Sequence, residues 1–454
     1  MPKLKIYNTL THNTENFEPM NTTIGFYACG PTVYNYAHIG NLRAYISQDI
    51  LRRVLKYNGY KIKHVMNITD VGHLTDDADT GEDKMEKGAQ REGKTAIQIA
   101  DFYTNAFKNN LQDLNILEPN IWCKATEHIP EQIKQVQDLI DGGYTYETTD
   151  GIYFDTTKIK DYGKLANLQK QELEAGKRVD IGEKKNPHDF ALWKFSNEQE
   201  KRQMEWEAFG KKGFPGWHIE CSAMSMKYLG DQFDIHAGGI DHIPVHHTNE
   251  IAQAESVTGL KPWVKYWFHN EFLIMGNEKM AKSSGNFITL QTLKDKEIDP
   301  LSYRYFILQS HYRKQTNFSW DAINSAQLGL KNLRKQIRNI GPNALTDPII
   351  EIEFLKAINN DLNIPEALAI LWSAIKENKV NLDTIIMFDK IFALDLHEPD
   401  TKIEITDEIQ TILDERQKAR NEKNWSESDK LREELKNIGI DVDDTADGQK
   451  ISQI

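Results

Sequence analysis

Cysteine is scarce in this chain. Cys29, Cys123 and Cys221 are the only three, and no two of them form a C-x-x-C pair. So few cysteines exclude a disulfide framework and fit a reducing cytoplasm, where free thiols are available as ligands. The missing C-x-x-C spacing also withholds the compact signature of an ordinary zinc site. No charged leader with a long apolar stretch opens the chain, and no uninterrupted apolar run is long enough for a membrane helix. A cytoplasmic protein with no membrane partner is therefore expected. An excess of positive charge is absent too. With 68 Asp and Glu against 55 Lys and Arg, the net charge is -13, which excludes a sequence-wide affinity for polyanions. Any nucleic-acid contact must use local basic patches. One lies at 311–338, where Arg313, Lys314, Lys331, Arg334, Lys335 and Arg338 face a single acid, Asp321. No internal repeat is visible.

What is present suits a globular chain of two to four domains: 454 residues, 39% hydrophobic and 27% charged. Ile24–Cys29 reads as a strand and Gly30-Pro31-Thr32 as a turn. A helix of roughly Leu42 to Tyr57 follows, with Ile46, Ile50, Leu51, Val54 and Leu55 on its buried face, and Gly59 stops it. Lys61–Ile68 is the next strand, and this βαβ start implies a parallel sheet. The acidic stretch at 75–83 reads as a loop, and helical patterns follow at about 94–114 and 128–141. Short strands and charged segments over 143–215 suggest an insertion between two halves of a sheet domain. The second half holds a helix from about His218 to Leu229, a strand at Phe233–His236, a helix at Val245–Val257, and strands at Trp263–His269 and Glu271–Met275. From Pro300 the pattern is helical to near Ile438, and the polar stretch 441–454 is expected to fray.

Four residues could share one metal. Cys29 ends the first strand, Cys221 lies in the helix after Trp217, and His246 and Glu250 stand at i and i+4 on one helix face. Two thiolates, an imidazole and a carboxylate are acceptable zinc ligands. Two buried cysteines and a surface His/Glu pair account for the same residues. His38-Ile39-Gly40-Asn41 stands where a helix begins, and helix N-termini suit phosphate through unpaired N–H groups and a partial positive charge. Gly40 would let a nucleotide approach the backbone; an ordinary capped helix explains the same four residues. Lys279-Met280-Ala281-Lys282-Ser283 makes a cationic loop that could clamp a triphosphate and neutralise a pyrophosphate leaving group, or simply a solvated turn.

Taken together, the two motifs resemble the HIGH and KMSKS pair of the class I aminoacyl-tRNA synthetases. Phe26 to Tyr34, Asn67-Ile68-Thr69-Asp70, Gly216 to Ser222 and His246 to Glu250 narrow the resemblance to cysteinyl-tRNA synthetases, from Lys5 to about Asp444. Two departures stand out: Asn41 replaces the last His of HIGH, and Ala281 the first Ser of KMSKS.

The resemblance implies an α/β fold: a Rossmann-like parallel-sheet catalytic domain with an insertion, then a helical anticodon-binding region. Its expected bounds are 1–118 and 216–299 for the catalytic halves, 119–215 for the insertion, 300–345 for a stem-contact region and 346–454 for the anticodon-binding domain. It implies one zinc ion held by Cys29, Cys221, His246 and Glu250 to select the substrate thiol. His38, Lys279 and Lys282 would act on Mg2+-ATP, with Gly40 and Asn41 in the same site. Thr69 and Asp241 would face the substrate ammonium, Gly30 and Thr32 its carboxylate end, and Trp217 would cover its side chain or pack in the core. His218, His236 and His247 would crowd the site, His247 through internal hydrogen bonds. The implied activity is ATP-dependent formation of cysteinyl-adenylate from L-cysteine and transfer to tRNA(Cys), by a monomer. An aminosugar ligase of the same ancestry and a non-catalytic RNA-binding paralogue are the competing readings. Near the C-terminus, Arg416 to Lys436 is rich in charge of both signs around Trp425, which either stacks on an RNA base or pins a helix pair to its core.

Overall fold

The computed structural model describes residues 2–72, 83–167, 183–197, 202–276, 278–279, 287–342, 344–397, 406–445 and 448–453. They fall into two compact units, 1–394 and 395–454.

Five parallel strands build the central sheet of the first unit. Their order is Val264–Asn270, Phe233–Gly239, Thr23–Ala28, Lys61–Ile68, Ile121–Lys124. Phe233–Gly239 is buried at every position, as expected of a parallel strand covered on both faces. The chain lays down Thr23–Ala28, steps outward through Lys61–Ile68 to Ile121–Lys124, then returns to fill the other side. Strand order therefore reverses between Thr23–Ala28 and Phe233–Gly239. At such a reversal the loops leaving two neighbouring strands part in opposite directions and open a crevice at the carboxyl edge. This is the Rossmann-like arrangement that the sequence implied.

The first crossover helix spans Ile39–Tyr57, three residues earlier than the sequence pattern placed it. His38 is its cap: its Nδ1 accepts from Asn41 N, while Asn41 Oδ1 accepts from His38 N. Histidine is not among the favoured capping residues, so the start was not marked. A further difference lies at 240–258. In place of one helix from Val245, a 3₁₀ turn Ile240–His242 and a π-turn Ile243–His247 lead into the helix Thr248–Thr258. Pro244 cannot donate a backbone hydrogen bond, which favours a wider turn there.

The insertion forms a five-stranded antiparallel sheet: Thr145–Glu147, Gly151–Phe154, Phe190–Phe195, Lys211–Pro215, Trp206–Ala208. Phe154, Phe190 and Trp193 bury into the core shared with the central sheet. Helices Pro300–Leu308, Trp320–Arg338, Pro348–Asn359, Ile364–Lys376 and Leu382–Phe392 complete the first unit. A hairpin, Lys5–Asn8 with Asn13–Asn16, was not anticipated.

In the second unit, helices Asp407–Asn421 and Trp425–Asn437 precede a hairpin of Ile440–Thr445 and Gly448–Gln453. The sequence pattern left this tail unstructured. Leu413, Leu435, Ile440 and Val442 form its small core, and buried Arg416 pairs both Nη atoms with Asp444, at 2.9 and 3.0 Å. Trp425 is 56% exposed, with the Arg420 guanidinium 5.7 Å from its ring; it does not pin the helix pair.

Candidate active site

The first strand ends at Ala28, so Cys29 emerges at the carboxyl edge of the sheet, where its N–H donates to Ala237 O at 3.1 Å. Gly30 follows with its N–H bonded to Asn67 Oδ1 at 2.7 Å. A Cβ on Gly30 would stand 1.6 Å from Asn67 O, so only glycine lets the chain turn this closely. Over this edge lies a cleft of about 390 Å³, at the crevice where strand order reverses.

Four side chains from three segments converge beside it. Cys221 comes from the second turn of the helix Trp217–Leu229, His246 from the π-turn and Glu250 from the helix after it. With Cys29 they place one ligand atom each within 4.8 Å of one another, and all four are buried. The chemistry of this set suits zinc. His246 Nε2 lies 2.8 Å from Glu250 Oε1. Without a metal the two form an ion pair, and both residues belong to the set of four that could share a cation. The neighbours hold the remaining atoms. His236 Nε2 reaches Glu250 Oε2 at 2.6 Å, and His218 Nδ1 reaches His246 Nδ1 at 3.0 Å. Such outer partners fix ligand orientation. His247 Nε2 lies 3.3 Å from Cys29 Sγ, and its Nδ1 lies 2.7 Å from His269 Nε2. Cys29, His236, His247 and Glu250 also converge within 4.8 Å, but there His236 is already engaged with Glu250.

The electrostatics follow from burial and pairing. Burial, reinforced by the neighbouring thiol, pushes Cys29 well up, and the hydrogen bond from Cys29 brings Cys221 down to about 7. Burial alone would raise Glu250; His236 and His246 outweigh it and hold the carboxyl at about 2. Burial would lower His246, but the Glu250 charge lifts it to about 10. His247 is held well below its ordinary value by burial and then by the adjoining His236 and His269.

The other end of the cleft is the N-terminus of Ile39–Tyr57. His38, Gly40 and Asn41 line it. Because His38 Nδ1 accepts the capping bond, the ring proton sits on Nε2. Gly30, Thr32, Trp217 and Asp241 line the cleft as well. Trp217 is half-buried, its ring 4.5 Å from that of His246. Thr69 is not part of the lining: its buried hydroxyl donates to Glu220 Oε2 at 3.2 Å and accepts from Asn67 at 3.1 Å. Lys279 is described only as backbone, pairing with Ile274. Lys282 and most of the acidic 75–83 stretch lie outside the described residues.

Two cleft residues were missed. Gln48 and Asn270 line the cleft and are 2% and 4% exposed. Neither Gln48 amide atom, nor Asn270 Oδ1, has a hydrogen-bond partner among the described residues. Both had a signal. Gln48 continues the stripe Asn41, Ala44, Tyr45 at helical spacing, and Asn270 ends the last sheet strand. Glu220, pushed well above the ordinary carboxyl value by burial and then by Asp70, was missed too.

Known proteins resemble this chain over most of its length. The family described as tRNA synthetases class I (C) catalytic domain matches residues 16–328, and the cysteinyl-tRNA ligase anticodon binding domain matches 403–451. A cysteine–tRNA ligase 1 of Burkholderia lata is 48% identical over 99% of this chain and 96% of its own length. A cysteine–tRNA ligase of Treponema denticola is 45% identical, covering 98% of both. Among solved structures, a Mycobacterium tuberculosis methionyl-tRNA synthetase with methionyl-adenylate aligns with a TM-score of 0.58 at 14% identity, over 82% of this chain and 89% of that one; this likeness concerns the fold.

Proposed function

This chain belongs to the cysteine–tRNA ligases, class I aminoacyl-tRNA synthetases, and from that premise we propose how its cleft selects and activates cysteine. The enzyme is an ATP-dependent ligase that charges tRNA(Cys). In the proposed first step the cysteine carboxylate attacks the α-phosphorus of Mg2+-ATP; the bond to the β-phosphate breaks and pyrophosphate leaves. In the second, the terminal ribose 2′-hydroxyl of the tRNA attacks the adenylate carbonyl and AMP leaves.

Cys29, Cys221, His246 and Glu250 would hold one zinc ion. When bound it supplies a soft Lewis acid that prefers a thiolate, a distinction between cysteine and serine that an apolar pocket makes poorly. The chain's own residues supply the rest. Trp217 covers the side-chain end, Asp241 faces the ammonium and Gly30 with Thr32 borders the carboxylate. Thr69 acts from behind, positioning Glu220 and Asn67. His38 Nε2–H, Asn41 and the helix N-terminus stabilise charge on the phosphates, and Lys279 and Lys282 stabilise the departing pyrophosphate. Gln48 and Asn270 offer buried amide groups to substrate. No protein nucleophile takes part.

The observation that carries this reading is the convergence of four metal-type ligands in the wall of the same cleft that holds the His38 helix N-terminus. Cys221→Ala tests it. Metal content should fall to near none and cysteine-dependent ATP–pyrophosphate exchange should collapse, while ATP binding measured by calorimetry persists. Retained metal, or equal loss of ATP binding, would contradict it.

An aminosugar ligase would share the cleft, but the anticodon-binding match at 403–451 favours tRNA as acceptor. His38, Lys279 and Lys282, all present in the sequence, favour catalysis over a binding paralogue. The proposed bounds are those of the sequence reading with one change: Ile121–Lys124 pairs in the central sheet, so the insertion begins after it; 395–454 is the part proposed to lie nearest the anticodon. A monomer working in the cytoplasm completes the proposal. Among the described residues no helix is long and apolar enough to cross a membrane.

A further inference from the structure

An exposed aromatic cluster stands at the mouth of the cleft, and the activation chemistry leaves it unused. Tyr36 is 39% exposed and Phe102 43% exposed. Their rings meet edge to face with centroids 6.1 Å apart. Each also meets buried Tyr103 edge-on, at 5.0 and 5.1 Å. Tyr103 is itself anchored, its hydroxyl bonded to Glu92 and accepting from Arg91 at 3.2 Å. Lys94 Nζ sits 4.3 Å above the Phe102 ring. Arg91 and Lys94 both pair with Glu92, at 2.8 and 3.1 Å, so the trio keeps one net positive charge at the patch. Tyr36 and Tyr103 also line the cleft, which makes the patch continuous with the site where the adenylate forms.

We propose that Tyr36 and Phe102 are the stacking platform for the unpaired 3′-terminal nucleotides of the tRNA as they enter the cleft. The inference rests on the tRNA-charging reading. The second step requires a terminal ribose in the cleft, so the single-stranded end must cross its rim. Sites for unpaired nucleotides combine aromatic faces with cationic groups that follow the backbone, and this rim has both. Edge-to-face packing against Tyr103 keeps the rings rigid, and at their partial exposure Tyr36 and Phe102 still present ring surface to a base, with Lys94 over Phe102 as the neighbouring cation. Large rings left half-exposed beside a reaction site, rather than scattered singly, mark a binding surface.

The test compares charging with activation on the full-length protein, because ATP–pyrophosphate exchange needs no tRNA. Phe102→Ala should raise KM for a tRNA(Cys) transcript by roughly five- to one-hundredfold, the range for losing one stacked base, with cysteine and ATP kinetics in exchange held within twofold. Tyr36→Ala should raise the tRNA KM more than it alters exchange. Phe102→Trp, which keeps a ring face, should restore tRNA KM. Normal exchange with an unmoved tRNA KM in both alanine variants would overturn the platform alone. Exchange falling in parallel with charging would also overturn it, by pointing to the nucleotide substrate or to local structure. No exchange in the unmodified protein would overturn the ligase reading and the platform with it.

Discussion

His236 shows how much a single side chain beyond the ligand set can matter. Its Nε2 holds Glu250 Oε2 at 2.6 Å, and its ring lies on Trp267 with centroids 4.7 Å apart. Both contacts fix the carboxylate whose other oxygen faces His246. His236→Ala should therefore weaken metal affinity about 10- to 100-fold, measured by competition with a chelator of known affinity; unchanged affinity would show that Glu250 is held by other means. The four candidate ligands were named in the sequence, where buried cysteines and a surface His/Glu pair explained them as well and only the resemblance to cysteinyl-tRNA synthetases singled them out; the structure brings their ligand atoms within 4.8 Å of one another. The histidines around them were visible as residues but not as partners. Which of His218, His236, His247 and His269 touches which ligand depends on strands 233–239 and 264–270 pairing in register, and periodicity carries no such information. Gln48 was passed over for another reason: between Ser47 and Asp49 it reads as a solvated position until the cleft beside it is seen.

At the scale of elements, Arg304 ties three segments together. From the helix Pro300–Leu308 its Nη2 reaches Asp49 Oδ2 at 2.6 Å, Nη1 reaches Leu114 O at 2.9 Å and Nε reaches Phe392 O at 2.6 Å. Asp49 belongs to the helix capped by His38, so this pair fixes that helix against the helical region. Arg304→Met removes one partner of a buried pair and should cost about 3–5 kcal/mol, read from urea unfolding. Burial would raise the Asp49 carboxyl, but Arg304 and Arg53 outweigh it and leave it below its ordinary value. A carboxyl lowered on folding stabilises above its unfolded value, near 3.9, and loses that contribution as pH falls through the folded one. Asp49→Asn should accordingly flatten the acid limb of the stability profile below about pH 5; an unchanged slope would contradict this pairing. Most helices and sheet strands were legible from periodicity. The C-terminal hairpin was not, because its inward face is only Ile440, Val442 and Ile451 amid polar residues, and the Arg416–Asp444 pair that secures it joins positions 28 apart. The first helix begins three residues before the pattern placed it, because its cap, His38, is not a favoured capping type.

For the whole molecule, the order of strands explains why the site lies where it does. A parallel sheet wound outward from Thr23–Ala28 in both directions opens one crevice at its carboxyl edge. Cys29, the His38 helix and the turn bearing His246 all reach it although they are far apart in sequence. Metal-type ligands at one end and a helix N-terminus at the other fit a reaction that selects a thiol and activates its carboxylate on ATP. The central claim is that this cleft sorts cysteine by a metal. Cysteine-dependent ATP–pyrophosphate exchange, with serine as control and zinc determined on the same sample, addresses it most directly. The account predicts exchange with cysteine, none above background with serine, and about one zinc per chain, as a four-ligand site requires. Folded protein that exchanges with cysteine while free of metal, or with serine equally well, would contradict it.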